Sequence, residues 1–273
     1  MKDKISILIS NYNNAKYLER CLNSCLDQSY KNKEIIVVDD FSSDNSKEIL
    51  KNYRKCKNIK LIYNKKKVSK FSAFNQLHAL IKAFKLSSGK IICLLDSDDF
   101  FEKNKLEEIE KYFSKNYNEN FIQDVPYFYY SKNKKTIKLL DKNNYCLWPS
   151  FYPTSTMSLK RSFFKECISN IFYKKFPLVE IDARIAIYAN FKNSKITIFN
   201  KNLTNYYQNN LGINSNNKKF SFNWWIKRSE VHDFVRLFYI SHKIKSIRSF
   251  DYLITKLISN FLKIVNVNYK NNF

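Results

Sequence analysis

Short apolar segments alternate with longer segments of helical periodicity along the first hundred residues of the chain. Mostly apolar runs at 5–9, 35–38, 59–63 and 91–95 have the length of buried strands. Between these runs, apolar residues recur every three or four positions, as they do on the buried face of an amphipathic helix. Alternation of strands and helices predicts an α/β fold with a parallel sheet and right-handed crossovers.

The pattern changes in the second half of the chain. Residues 127–131 and 136–140 predict a β-hairpin, and 154–159 predict a further strand. Helical periodicity returns at 162–169 and 180–189. The second half is therefore predicted to contain strands and helices, without the strict alternation of the first half.

From residue 222 onward the chain has a helical pattern with one continuous apolar stripe. The simpler interpretation is that this stripe packs on the rest of the chain or on a second subunit, which would make a homodimer. The alternative is a helix lying on an anionic membrane surface, because Trp224, Trp225 and many cations accompany the stripe. The stripe consists of Phe250, Leu253, Ile254, Leu257, Ile258, Phe261 and Leu262.

Polar side chains directly follow three of the predicted strands. The carboxyl ends of parallel strands meet at one edge of a sheet, where α/β proteins bind ligands. A tyrosine there can stack on a base, carboxylates can bind ribose hydroxyls, and acids one residue apart can hold a divalent cation shared with a diphosphate. The residues are Ser10 and Tyr12 after the first strand, Asp39 and Asp40 after the second, and Asp96, Ser97, Asp98 and Asp99 after the fourth.

Three acids could have a structural role instead of a role in ligand binding or catalysis. Asp98 and Asp99 could instead cap a helix predicted at 101–112. Asp182, near the start of the helix at 180–189, also suits the positive end of a helix dipole, so a structural role is equally open for it on pattern alone.

Composition limits the classes of partner. The 273-residue chain has 48 Lys and Arg against 24 Asp and Glu, a formal charge of +24, which predicts attraction to nucleic acid, an anionic membrane or a phosphate-bearing substrate. Its abundance of Lys and Asn and its two glycines indicate a compositional bias, so the charge alone specifies no partner. Six cysteines without a C-x-x-C pair, no predicted signal peptide, and no apolar run of roughly 18 residues favour a reduced, cytoplasmic protein.

Four segments, in this order, resemble glycosyltransferase family 2. They are ISILISNYN at 5–13, LDQSY at 26–30, EIIVVDDFSSD at 34–44 and LLDSDD at 94–99. The resemblance implies the GT-A fold, a Rossmann-like, mostly parallel sheet flanked by helices. It also implies a nucleotide-activated sugar donor, Mn²⁺ or Mg²⁺ as cofactor, and inversion of the anomeric centre.

Transferred to this chain, the resemblance implies roles for particular residues in donor binding. Ser10 and Tyr12 would contact the base and ribose, and Asp39 would hold the base, uracil being expected. Asp96 would lie near the ribose beside Ser97, and Asp98 would bind the metal. Asn75 and the basic loop before it resemble the segment that precedes the D-x-D strand. The usual Arg is Phe74 here, so Lys65, Lys66, Lys67 or Lys70 would contact the phosphates, and Lys70 is the residue we assign.

The resemblance also implies a catalytic base, and the chain departs from the family at one expected metal ligand. The base is assigned to Asp182, with Glu180 as the alternative. The late Tyr-Arg-x-His region of the family corresponds to residues 207–210, which are Tyr-Gln-Asn-Asn, so a third protein ligand for the metal is in doubt.

We therefore expect a catalytic domain at 1–215, with the nucleotide bound by 1–100 and the acceptor by 101–215, and a basic, aromatic helical extension at 216–273. The expected function is inverting transfer from a UDP-sugar to a glycan or lipid-linked glycan, as in bacterial capsule or lipooligosaccharide assembly. The enzyme would work in the cytoplasm, as a soluble protein or on the inner face of the membrane.

Two other functional classes stay open at this stage. A nucleotidyltransferase also binds nucleotide and metal near paired acids, but it normally needs a phosphate-cradling loop, and residues 10–14 contain no glycine. A nucleic-acid-binding protein would suit the charge of +24 and the 16% aromatic content. Because the cations are scattered and the acids at the strand ends would repel phosphate, we expect no nucleic acid partner.

Overall fold

The computed structural model describes residues 2–129, 135–138, 140, 148–192, 196–208, 218–243 and 249–265. The strands are β1 (Ile5–Asn11), β2 (Lys33–Asp39), β3 (Ile59–Tyr63), β4 (Ile91–Asp96), β5 (Phe100–Phe101), β6 (Phe121–Asp124), β7 (Tyr127–Tyr129), β8 (Lys135–Ile137), β9 (Met157–Lys160), β10 (Thr197–Phe199) and β11 (Thr204–Tyr207). The helices are α1 (Ala15–Leu26), α2 (Ser46–Asn52), α3 (Ser72–Leu86), α4 (Lys105–Lys115), α5 (Arg161–Ile171), α6 (Ile181–Phe191), α7 (Phe222–Ser241) and α8 (Phe250–Val265).

A seven-stranded sheet forms the centre of the molecule, in the order β10-β6-β9-β4-β1-β2-β3. β1 is parallel to both β2 and β4, β2 is parallel to β3, and only β9 runs in the opposite direction. The predicted mostly parallel α/β sheet is therefore confirmed. Its register places Ser10 opposite Asp96 and Asn11 opposite Asp39, so three strand ends meet at one edge.

Helices cover both faces of this sheet, which explains the unbroken apolar runs in its inner strands. One face packs against α3, α5, α6 and α7, and the other against α1 and α4. Phe234 and Phe238 of α7 are fully buried in the first of these cores. α7 is thus part of the same hydrophobic core as the helices before it.

A second, four-stranded sheet in the order β5-β11-β7-β8 lies beside the carboxyl edge of β4. Its β7 and β8 pair antiparallel, which confirms the predicted hairpin. β11 pairs parallel with β7 and antiparallel with β5, so this sheet joins segments that are distant in sequence. This arrangement brings Tyr207 to the acids that follow β4.

Two predicted elements differ from the structure. The helix expected at 101–112 begins only at Lys105, because residues 100–101 pair with β11 as a strand. The residue that precedes this helix is Asn104, so the proposal that Asp98 or Asp99 caps it is wrong. The strand expected at 154–159 begins with a 3₁₀ turn at Thr154–Thr156, and β9 follows from Met157.

The last helix also departs from prediction. The apolar stripe of α8 does not pack on the described part of the same chain: Phe250, Leu257 and Phe261 are 78%, 72% and 62% exposed. The helix instead contacts α7 through polar side chains. Among the residues that the structure describes, no helix has both the length and the apolar character needed to cross a membrane.

Candidate active site

The end of β2 forms the first part of a crevice. Asp39 is fully buried, and its carboxylate accepts hydrogen bonds from the side-chain amide of Asn11 at 2.8 Å and from the backbone N–H of Ser42 at 3.2 Å. The chain turns sharply at Phe41, whose φ of 62° lies in the left-handed region that non-glycine residues rarely adopt. Such strain is commonly retained at binding sites, and here it directs the Ser42 N–H towards Asp39.

Tyr12 lies next to this turn at the end of β1. Its ring is 39% exposed, and the ammonium of Lys67 lies 3.7 Å from the ring centroid. An exposed aromatic ring beside a buried carboxylate and a cation can receive a base, its ribose and the first phosphate of a nucleotide.

Asp96 and its neighbours form the second part of the crevice, at the end of β4. The Asp96 carboxylate accepts a hydrogen bond from Gln76 at 2.6 Å, and the Ser97 hydroxyl accepts one from Asn14 at 2.9 Å. Burial, followed by repulsion from Asp98 and Asp182, raises the pKa of Asp96 well above its usual value. The carboxylates of Asp96, Asp98 and Asp182 therefore lie close enough to interact.

Arg20 supports the D-x-D segment through its backbone. Its guanidinium donates a hydrogen bond to the Asp98 carbonyl at 2.8 Å and lies 4.3 Å and 4.8 Å from the ring centroids of Phe100 and Tyr207. These contacts hold the arginine by cation–π attraction. The Asp98 side chain is partly exposed at the crevice.

Asp99 belongs to the scaffold under the site. Its two carboxylate oxygens accept hydrogen bonds from the Ser155 hydroxyl at 2.5 Å and from the Tyr207 N–H at 2.8 Å. The Ser155 hydroxyl also accepts a hydrogen bond from the Asp96 N–H at 3.0 Å. Asp99 thus fixes the position of Asp96 and Asp98 without facing a ligand itself.

A fully buried ammonium completes this scaffold. Lys105 donates to the Asp124 carboxylate at 2.7 Å, the Ser155 carbonyl at 2.8 Å and the Thr204 hydroxyl at 2.6 Å. Three acceptors satisfy all three ammonium protons, which is the condition for burying such a charge. Lys105 therefore ties the D-x-D support to β6 and β11.

Asp182 approaches the crevice from the first turn of α6. Burial, followed by repulsion from Glu180, raises the pKa of Asp182 to about 7. Glu180 is engaged differently, because its carboxylate forms an ion pair with Lys227 at 2.8 Å. A pKa of about 7 suits a general base near neutral pH, and the Glu180 carboxylate is held by Lys227.

The basic loop before α3 is held by Asn75. Its amide accepts a hydrogen bond from the Ser69 N–H at 2.9 Å and donates one to the Ser69 carbonyl at 2.8 Å. These bonds make Asn75 a positioning residue for exposed Lys70, the next residue along the loop. Phe74, which replaces the arginine of the family, is buried in the core.

Several residues of the site have no signal in the sequence patterns. Gln76, Ser155 and Arg20 act by hydrogen bonds to the D-x-D segment. Tyr206 faces the same acids: burial, followed by repulsion from Asp99 and Asp96, raises the pKa of its phenol. Gln76, which follows Asn75, and Tyr206, which precedes Tyr207, lie next to residues that the family resemblance indicated.

The described residues contain no group of three or more His, Cys, Asp or Glu side chains arranged as a complete metal site. The chemistry of the crevice nevertheless fits a divalent cation, because Asp98 and Asp182 raise the pKa of Asp96 by repulsion and a cation would relieve it. Residues 209 and 210, where a third ligand was in doubt, lie outside the described residues.

The comparison with known families agrees with this geometry. The model of the family described as glycosyl transferase family 2 matches residues 6–181. The chain belongs to this family. The match runs from β1 to the first residue of α6, so it includes β1, β2 and β4 and ends one residue before Asp182.

Curated relatives match less than half of the chain. An uncharacterised glycosyltransferase of Nostoc sp. is 37% identical over 112 residues, which cover 40% of this chain and 33% of the relative. A putative teichuronic acid biosynthesis glycosyltransferase, TuaG of Bacillus subtilis, is 35% identical over 108 residues, which cover 39% of this chain and 40% of TuaG. The matches thus span well under half of these relatives.

Solved structures resemble the chain over nearly its whole length. S. aureus TarS 1-349 in complex with UDP-GlcNAc superposes with a TM-score of 0.64 at 18% identity, covering 98% of this chain and 74% of that one. The mannosyltransferase PcManGT from Pyrobaculum calidifontis, in complex with GDP-Man and Mn²⁺, gives a TM-score of 0.59 at 13% identity, covering 100% and 73%. At such identities the likeness concerns the fold, which is the GT-A fold expected from the sequence.

Proposed function

We propose that the protein is an inverting glycosyltransferase that transfers a sugar from a UDP-sugar to a hydroxyl group of a glycan acceptor. The observation that carries the proposal is the grouping of Asp96, Asp98 and Asp182 at the carboxyl edge of the sheet, where burial, followed by repulsion from Glu180, raises the pKa of Asp182 to about 7. One acid poised as a base beside two acids suited to a metal–diphosphate group is what direct displacement requires.

Asp182 is the base in the proposed reaction. Its carboxylate takes the proton of the acceptor hydroxyl while that oxygen attacks the anomeric carbon. The bond between this carbon and the diphosphate oxygen breaks on the opposite face, and UDP leaves with the bonding electrons. A single base without a protein nucleophile gives inversion, whereas retention would need a second carboxylate to form a covalent intermediate.

The donor would lie across the ends of β1, β2 and β4. Asp39 and Tyr12 bind the uracil, with Ser10 on the strand between Asp39 and Asp96. Asp96 and Ser97 lie where the ribose would follow. The loop held by Asn75 presents Lys70 to the diphosphate, because the usual arginine is the buried Phe74.

Asp98 would hold Mn²⁺ or Mg²⁺ together with oxygens of the diphosphate. Asp98 suits this role because Asp99, the adjacent acid, is fully occupied by Ser155 and Tyr207. The bound ion would neutralise the charge that develops on the leaving diphosphate. PcManGT, whose structure contains Mn²⁺ with GDP-Man, supports this proposal by its fold.

The biological role follows from the relatives. The resemblance to TuaG, named for teichuronic acid biosynthesis, supports a role in assembling a bacterial surface glycan such as a capsule or lipooligosaccharide, on the cytoplasmic side of the membrane. In this proposal residues 1–215 form the catalytic domain, α7 of the extension at 216–273 completes its core, and α8 has a separate task.

Thermal-shift measurements with a panel of nucleotide sugars test the donor assignment. A ligand that binds only the folded chain raises its melting temperature, so a UDP-sugar with Mn²⁺ should stabilise the protein more than the GDP- or CMP-linked sugars. Tyr12→Ala should remove most of this shift, whereas Tyr117→Ala, at a 79% exposed position away from the crevice, should leave it intact. If no nucleotide sugar stabilises the wild-type protein, the proposed function is wrong.

A further inference from the structure

α8 is packed with its polar side against the protein and its apolar side outward. Tyr252, Thr255 and Ser259 are its buried residues. Its exposed side consists of Phe250, Leu253, Ile254, Leu257, Phe261, Ile264 and Val265, between 39% and 78% exposed. A surface helix of a globular protein normally has the reverse arrangement, because burial of apolar side chains drives its packing.

Polar contacts fix this orientation of the helix. Arg228 of α7 donates to both oxygens of Asp251, at 2.8 Å and 2.7 Å, and Arg236 donates to the Tyr252 hydroxyl at 2.6 Å. Lys256 pairs with Asp233 at 2.7 Å. Rotating α8 to bury its apolar side would break all of these contacts. The apolar side is therefore held outward, where something other than the described chain must cover it.

The charge of the chain around α7 and α8 indicates which kind of surface would cover the apolar side of α8. Residues 218–273 contain eleven Lys and Arg but three Asp and Glu. Each of the three acids is engaged within the fold: Glu230 with the Leu178 N–H, Asp233 with Lys256, and Asp251 with Arg228. Each acid of this region thus has a partner within the fold, and Lys218, Lys219 and Lys243 are exposed around α7.

Cations lie near both ends of α8 along the chain. Lys243 precedes the helix, and Lys263 lies in its last turn. Pairing of α8 with a second copy of itself, parallel or antiparallel, would bring like charges together, and each chain carries a formal +24. An anionic bilayer surface instead offers opposite charge to the cations and an apolar interior to the exposed side chains.

We propose that the apolar side of α8 (Phe250, Leu253, Ile254, Leu257, Phe261, Ile264 and Val265) docks on the surface of an anionic membrane, with the helix lying in the plane of the interface. A helix of 16 residues is about 24 Å long, so seven side chains along one side would enter the acyl boundary together. The proposal concerns where the enzyme works and does not depend on the identity of the donor.

Vesicle sedimentation with the full chain tests the proposal. The protein should bind vesicles of phosphatidylcholine with phosphatidylglycerol, bind pure phosphatidylcholine less, and lose affinity as salt screens the cations. The double variant Leu257→Glu/Phe261→Glu should bind the anionic vesicles at least tenfold more weakly. Its matched control, Leu86→Glu/Tyr117→Glu, adds the same charge at two exposed apolar positions elsewhere and should bind like wild type.

Two further measurements distinguish a loss of membrane binding from a loss of folding. Far-UV circular dichroism and the melting temperature report whether each variant is folded, independently of any lipid or nucleotide. Equal vesicle binding by both double variants would overturn the proposal. The proposal would also be overturned if the wild-type protein sediments as a dimer and does not bind vesicles, while Leu257→Glu/Phe261→Glu is a monomer. A second copy of the chain would then cover the helix.

Discussion

Both edges of the central sheet contain carboxylates, but hydrogen-bond donors surround the carboxylate at one edge and other acids surround those at the opposite edge. At the amino edge, Glu34 is 4% exposed and is surrounded by donors. At the carboxyl edge, Asp96 and Asp182 face each other and Asp98. Burial acts to raise the pKa of Glu34, but hydrogen bonds from Ser88 and Ser6 lower it to about 2, whereas the pKa of Asp182 is raised to about 7.

Close packing explains how the amino edge satisfies its acid. One oxygen of Glu34 accepts from the Ser6 hydroxyl at 2.7 Å and the Ser88 N–H at 2.6 Å, and the other pairs with Lys4 and Lys60 at 3.2 Å. Gly89 allows this approach, since a Cβ there would lie 2.6 Å from the Ser6 nitrogen. A carboxylate that accepts several hydrogen bonds stabilises the fold. Carboxylates that repel one another can instead bind a ligand that relieves the repulsion.

The largest expected effect is at the carboxyl edge. Asp182→Asn removes the proposed base, so turnover should fall by about a hundredfold or more while the affinity for UDP stays near wild type. Steady-state kinetics with calorimetric titration of UDP separates the two quantities. Glu180→Gln is the matched control, because it makes the same chemical change two residues away, and it should reduce turnover much less. Wild-type turnover in Asp182→Asn would exclude Asp182 as the base.

At the amino edge the same type of substitution should reduce stability. In Glu34→Gln, the new amide donor faces the ammonium groups of Lys4 and Lys60, so the free energy of unfolding should fall by about 1–3 kcal/mol. Turnover of the folded protein should not change. Urea denaturation measures the loss, and Glu48→Gln, in an exposed pair with Lys51, should stay within about 0.5 kcal/mol of wild type. An unchanged unfolding midpoint in Glu34→Gln would contradict this comparison of the edges.

The next smaller effect concerns the metal. Asp98→Ala should weaken UDP binding in Mn²⁺ by about tenfold and bring it close to the affinity that wild type shows in EDTA. Calorimetric titration in Mn²⁺ and in EDTA measures both affinities. If the variant still gains affinity from Mn²⁺ as wild type does, the ion is held by other residues.

The smallest effect is expected from pH. With a pKa of about 7 for Asp182, kcat/KM should rise about fivefold between pH 6 and pH 7 and then level off, because the base must be ionised. A pH–rate profile measures this rise. A profile that is flat across this range would contradict the raised pKa.

Stability should depend on pH with opposite sign at the two edges. The pKa of Asp182 is higher in the folded chain than in the unfolded chain, so its contribution is present at low pH and is lost as pH rises through about 7. The pKa of Glu34 is lower in the folded chain, so its contribution is present above the unfolded value and is lost as pH falls towards about 2. Asp182→Asn should therefore reduce the decline above pH 4 or so, to which the raised pKa of Asp96 also contributes, and leave the acid-induced loss.

The sequence predicts the part of the site that depends on strand ends. Asp39, Asp96 and Asp98 directly follow apolar strands, and the alternation of strands and helices makes those strands parallel neighbours, so their convergence follows from local patterns. Asp182 lies on a later helix, and only the family resemblance, not the periodicity, indicated it as the base.

Other features depend on contacts that no local pattern encodes. Glu34 looks like any polar residue before a strand until Ser6 and Ser88 are brought to it. The helical period of α8 is predicted correctly from the sequence. Its orientation, however, is set by polar contacts with Arg228, Asp233 and Arg236 of α7, which the periodicity does not show. The helix expected at 101–112 starts late because pairing with β11, more than a hundred residues further along the chain, outweighs local propensity.

The buried ammonium of Lys105 joins segments of the expected acceptor half, and one of them, at Ser155, accepts a hydrogen bond from Asp96 of the expected donor half. Its three acceptors belong to Asp124, Ser155 and Thr204, all of which come after residue 100 in the chain. Residues 1–100 alone would therefore lack the brace beneath their own D-x-D turn. The two halves therefore depend on each other for rigidity. A fragment that ends at residue 100 would contain the strands of a nucleotide site, but the site would not be held rigid.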